Sequence, residues 1–172
     1  MKQTLILFMQ DEPGVLNRIS SLVRRRNFNI ESIVAGRTEL KGITRMTLVV
    51  NEPDKAKRKN IYNNLKSLID VYDVVDATDE DCHIREHALV KISINPEEIK
   101  NIDQLVARGN CKILDANPQS MILELSGNEK IVEENIKTLK KYKVLELLRS
   151  GKMAMVSGNQ EKNKPVLTRS EP

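Results

Sequence analysis

Thr4-Leu5-Ile6-Leu7-Phe8-Met9, then Gln10-Asp11-Glu12-Pro13-Gly14, then Val15-Leu16 decide how this chain folds. The first six residues form a continuous apolar run and read as a buried strand. Pro13 and Gly14 end it with a loop. Beyond the loop, Val15, Leu16, Ile19, Leu22 and Val23 recur at i, i+1, i+4, i+7 and i+8, the stripe of an amphipathic helix. Arg24, Arg25 and Arg26 close that helix, where cations complement the negative end of its dipole.

Working outward, Ile30 to Thr38 and Ile43 to Val50 read as two strands around the turn Glu39-Leu40-Lys41-Gly42. Ile61, Leu65, Leu68 and Ile69 mark a second helix, and Val71 to Ala77 a closing strand. The order β-α-β-β-α-β is a split βαβ plan, with two helices on one face of an antiparallel sheet. The second half repeats it. Ala88 to Ile94 is a strand, and Pro96 suits the first turn of a helix whose apolar face is Ile99, Ile102, Leu105 and Val106. Lys112 to Ala116 and Met121 to Leu125 follow as strands, Ile131, Val132, Ile136 and Leu139 as a helix, and Val144 to Leu148 as a last strand. The expected fold is α+β, two tandem ferredoxin-like βαββαβ domains at 1–77 and 84–158. Residues 78–83 form an acidic linker, and the polar stretch 159–172 predicts a disordered tail.

Two domains of this size within 172 residues each lie near the lower limit of independent stability, so pairing of chains is expected. The net charge is +4, and residues 1–76 carry 13 Lys/Arg against 9 Asp/Glu. That excess is too modest to argue for nucleic acid. With no Trp, two Phe and three Tyr, the chain also lacks the aromatic platforms that bind single strands. Cys82 and Cys111 stand far apart, which fits a reducing compartment. The apolar run ending at Met9 is too short to span a membrane and has no cleavage site behind it, so a cytoplasmic protein is expected.

Catalytic templates are missing. The chain has no Gly-x-Gly-x-x-Gly, no Walker loop, and no Ser, Cys or His set resembling a nucleophile with its base. Cys82, His83 and His87, behind Asp79 and Asp81, offer zinc-type ligands, but structural zinc wants four closely spaced ones. An exposed linker running into a strand is the preferred reading, with no metal. The run Lys55, Lys57, Arg58, Lys59 reads as the solvated face of the second helix.

The informative loop is Asp11-Glu12-Pro13-Gly14-Val15-Leu16. It opens a helix whose free N–H groups can receive a carboxylate. Gly14 has no Cβ to keep a ligand off the backbone, and Asp11 offers a carboxylate to an ammonium group. A free α-amino acid carries both charges. The same residues equally allow a plain role, in which Asp11 caps the helix and Gly14 turns the chain.

The sequence resembles the ACT-domain family, and within it the small regulatory subunits of acetolactate synthase (acetohydroxyacid synthase). The carriers, besides the Asp11–Leu16 loop, are Asn27-Phe28-Asn29-Ile30-Glu31-Ser32, Thr44-Arg45-Met46-Thr47, Arg85-Glu86-His87-Ala88-Leu89-Val90-Lys91 and Arg149-Ser150-Gly151. The resemblance implies a non-catalytic chain that activates a large catalytic subunit carrying thiamine diphosphate, Mg and FAD, with no cofactor of its own. It further implies a homodimer through the ACT domains and feedback control by a branched-chain amino acid, usually valine. Asp11, Gly14, Val15 and Leu16 of one chain would face Asn29 and Ile30 of the other. The chain departs from the usual pattern at Asp11, where Asn is common, at Pro13, where Ser is common, and at Ser157-Gly158 in place of Arg-Gly. The alternative is a free-standing amino-acid sensor controlling transcription or RNA.

Overall fold

The computed structural model describes residues 2–94, 102, 105–107 and 109–158. They fall into two compact units, one running to His83 and resuming at Lys152, the other spanning Ile84–Gly151. Each is an antiparallel sheet backed by helices.

The first unit contains β1 (Lys2–Gln10), α1 (Val15–Arg25), β2 (Ile30–Arg37), β3 (Ile43–Asn51), α2 (Lys55–Lys66) and β4 (Val71–Asp76). Its sheet order is β2-β3-β1-β4, with β1 pairing antiparallel to both neighbours. Strand side chains alternate between faces. Leu5, Leu7 and Met9 therefore join Met46, Leu48 and Val50 on one face, where Val15, Ile19, Leu22, Val23, Ile61 and Leu65 of the helices close over them. After α1, Asn27 takes a left-handed φ of 59°, a conformation Asn tolerates at a helix end. The chain thus turns, and Phe28 is delivered to the edge of this core. The carboxylate of Asp54 opens α2 by accepting the N–H groups of Ala56 and Lys57 at 2.7 and 3.3 Å.

One expectation needs correction here. The second helix stops at Lys66, so Leu68 reaches the core from the following loop and Ile69 is 75% exposed. The sheet's second face is also dry, since Ile6, Phe8 and Val49 are buried on the side away from the helices. An additional strand, β9 (Met153–Val156), shares that face. The Arg45 guanidinium, set over the Phe8 ring at 5.8 Å, donates to the carbonyl of Ala154. Thr47 Oγ1 accepts the Ala154 N–H at 3.4 Å, and Ala154 and Val156 are buried. Residues 152–158, which the sequence places at the end of the second domain, thus group with the first unit.

The second unit holds most of β5 (Cys82–Ser93), then β6 (Cys111–Ala116), β7 (Ser120–Gly127), α3 (Glu129–Leu139) and β8 (Lys143–Arg149), in sheet order β6-β7-β5-β8. Val90, Ile92, Met121, Leu123 and Leu125 of the sheet pack with Val132, Ile136 and Leu139 of α3. Ile102 and Leu105 are helical and buried in the same core. Pro96 and Ile99, expected in that helix, and the tail 159–172 lie outside the described residues. The Asn128 side chain caps α3 by accepting the Ile131 N–H at 2.9 Å. At the end of β8, Arg149 forks onto the buried Glu86 carboxylate at 2.6 and 2.9 Å.

Candidate functional site

The strand–loop–helix junction of the first unit carries a pocket of about 300 Å³. Its apolar wall is Met9, Val15, Leu16, Ala35 and Gly36, and its polar groups come from Gln10, Asp11, Glu12, Arg37 and Thr44. The end of β1 supplies one side, and the end of β2 with the start of β3 supplies the other. Arg37 and Thr44 are cross-strand partners in the β2–β3 hairpin.

Asp11 is held from two directions. Its N–H donates to the Gly42 carbonyl at 2.9 Å. Its carboxylate accepts the Thr44 hydroxyl at 3.0 Å on Oδ1 and faces Arg37 Nε at 3.4 Å on Oδ2. It does not cap α1, which has Gly14 as its N-cap and no side-chain cap bond. Of the two roles open to Asp11 in the sequence, helix capping is therefore ruled out.

Gly14 has φ 88° and ψ −12°, a left-handed conformation that costs other L-residues about 1–2 kcal/mol. The space beside it is open, because a Cβ would meet only Arg18 Nη1, at 3.7 Å. Arg18 is itself tied to the buried Asp70 at 2.5 Å. The Val15 N–H turns back to the Glu12 carbonyl at 3.4 Å, and the Val15 side chain belongs to the core. Leu16 is 48% exposed, and its N–H is among the first-turn donors that have no acceptor within a helix.

Asn29 and Ile30 do not line this pocket. They stand at the opposite end of β2, whose eight residues span roughly 23 Å at about 3.3 Å per step. The Asn29 carbonyl accepts the Asn51 N–H at 3.2 Å, and Ile30 packs half-buried against the core. Within one chain the two halves of the expected site are apart. Arg37 and Thr44 were missed by the sequence reading. Their signal is the tight hairpin, which sets the last residue of β2 opposite the second residue of β3.

Cys82, His83 and His87 do not converge. The Cys82 thiol points at the Ala77 carbonyl at 3.6 Å, and burial followed by Glu80 and Asp81 pushes its pKa up. His83 is exposed, and His87 Nδ1 stands 3.7 Å from Glu124. Among the described residues no three His, Cys, Asp or Glu groups are placed to hold a metal ion. Lys55, Lys57 and Lys59 are exposed on α2. No helix among the described residues is long and apolar enough to cross a membrane.

Comparison with known proteins gives the same picture for both units. A family described as the small subunit of acetolactate synthase matches residues 85–158, and an AHAS small subunit-like ACT domain matches residues 5–73. A probable acetolactate synthase small subunit from Archaeoglobus fulgidus is 37% identical over 161 residues, covering 94% of this chain and all of that one. The Bacillus subtilis acetolactate synthase small subunit is 33% identical, with 94% of each chain covered. The crystal structure of the small subunit from Thermotoga maritima superposes with a TM-score of 0.84 at 31% identity, covering 92% of this chain and 99% of that one.

Proposed function

The chain belongs to the acetolactate synthase small-subunit family, and on that footing we propose that it is a regulatory subunit that activates a catalytic large subunit and makes it responsive to a branched-chain amino acid, valine being the first to test. The observation that carries this reading is the pocket beneath the Asp11–Leu16 loop. There a fixed carboxylate, helix N–H donors and a small apolar wall meet, the three features an aliphatic α-amino acid requires.

A second copy completes the site. β2 is an edge strand, so its outer backbone groups are open to pairing with another strand. If two copies join β2 to β2 antiparallel about a two-fold axis between Ile33 and Val34, Ile30 of one chain lies opposite Arg37 of the other. Asn29 and Ile30 then come to the pocket that they cannot reach within their own chain. The Asn29 amide can bond a carboxylate or an ammonium group, and Ile30 with Leu16 can enclose a branched side chain. Thiamine diphosphate, Mg and FAD would belong to the large subunit, where the condensation of 2-oxo acids takes place, and this chain would hold none of them.

The test is a thermal-shift panel of the twenty amino acids on the full chain, with sedimentation in parallel. A branched-chain amino acid at a hundredfold excess over its Kd should add about 2.7 kcal/mol, visible as a shift of several degrees, and the species should be a dimer. No shift with any of them, or a monomer at micromolar concentration with valine present, removes the reading.

A further inference from the structure

Building on the effector reading above, we infer that Arg37 is a ligand-selecting residue, the carboxylate-binding half of a charge pair whose ammonium-binding half is Asp11. The two groups face each other across the mouth of the pocket at 3.4 Å. They are held very differently. Asp11 is locked at its backbone by Gly42 and at Oδ1 by Thr44, which is itself buried. Arg37 has an 88% exposed side chain and approaches Asp11 through Nε. Among the described residues its two terminal nitrogens meet no other partner.

An exposed ion pair at that distance contributes little, so it separates readily. A zwitterion can replace it with two better contacts. The ammonium group takes Oδ2 of the fixed Asp11, and the carboxylate takes the planar fork of the guanidinium, which matches it in a two-pronged fashion. The aliphatic side chain then lies along Met9, Val15, Leu16 and Ala35. A ligand with only one charge leaves half of the pair unanswered. The 2-oxo acid of the same carbon skeleton brings its carboxylate against Asp11 without an ammonium group. The primary amine of that skeleton competes with Arg37 for Asp11 and gives the guanidinium nothing. The pocket should thereby tell an amino acid from its own 2-oxo acid, a distinction that matters for a chain acting on an enzyme of 2-oxo acids.

The test is calorimetry on the full chain with three ligands of one skeleton, namely L-valine, its 2-oxo acid and its primary amine. Wild type should bind the amino acid at least tenfold more tightly than either analogue, as expected for losing a charge-assisted bond. Arg37→Gln should weaken the amino acid tenfold or more and bind the amine at least as tightly as wild type does, because the competitor for Asp11 is gone. Asp11→Asn should weaken the amino acid and leave the 2-oxo acid no weaker. Arg37→Lys should recover only part of the loss, because it keeps the charge without the fork. Arg37→Gln binding valine as wild type does, or losing amino acid and amine equally, overturns the inference. Gly14→Asp separates the two levels. If it abolishes binding while Arg37→Gln does not, only the role of Arg37 falls. If it leaves valine binding intact, or wild type binds no branched-chain amino acid, the site itself is misplaced and the inference falls with it.

Discussion

Thr47 Oγ1 on β3 accepts the amide hydrogen of Ala154 at 3.4 Å across 107 residues of sequence. With the Arg45 bond to the same residue's carbonyl, it fixes β9 on the face of the first sheet that the helices leave uncovered. Ending the chain at Gly151 should therefore damage the first unit, besides removing the pairing of β9 with β5. It removes the buried Ala154 and Val156 and opens the face that holds Ile6, Phe8 and Val49. At about 1.5–3 kcal/mol per large apolar side chain returned to water, partial exposure of these should cost about 3–6 kcal/mol. Urea unfolding followed by tyrosine fluorescence in the full chain and the truncation, both carrying Tyr142→Phe so that only Tyr62 and Tyr72 report, checks this. An unchanged midpoint would mean that β9 contributes nothing to the first unit.

The second unit has its own vulnerable pair. Glu86 is 2% exposed, and the Arg149 guanidinium is its two-pronged partner, also reaching Glu133 at 3.0 Å. Bonding to Glu86 holds the Arg149 pKa above its ordinary value. Arg149→Met leaves a buried carboxylate without a counter-charge, a change that typically costs about 3–5 kcal/mol. The double variant Arg149→Met with Glu86→Gln should recover part of that loss. Denaturation midpoints of the wild type, the single and the double variant give the answer, and a single variant as stable as wild type refutes it.

Cys111 lies in the same core at 2% exposure, and burial pushes its thiol pKa up to about 11 from 9.0. The folded state thus retains a proton that the unfolded chain gives up. The stability tied to this proton is fully present below about pH 9 and is lost as pH rises toward 11, on the order of 2 kcal/mol in all. Melting temperatures of wild type and Cys111→Ala from pH 8 to 11 should converge as the wild type loses this increment. Parallel curves across that range would contradict it.

How far the sequence carries depends on how local the determining contacts are. The apolar run of β1 and the Val15, Ile19, Leu22, Val23 stripe could be read because strand and helix periods are written in neighbouring residues. Ile69 was misread because the helical spacing continues past Lys66, where the chain has already turned. β9 could not be read. It has four residues, no period, and anchors on side chains more than a hundred positions away. At the site, Asp11 and Gly14 stood out as loop chemistry before a helix. Arg37 and Thr44 did not, because they enter through the closing of a hairpin. Val15, expected in the effector site, lines the pocket and also packs into the core.

The most direct measurement is acetolactate formation by the cognate large subunit alone, with saturating chain, and with chain plus valine. The rate should rise several-fold when the chain is added and fall again with valine only when the chain is present. Chains carrying Gly14→Asp or Asn29→His should activate as wild type does and no longer respond to valine. A large-subunit rate unchanged by saturating chain, with or without valine, would contradict the regulatory role.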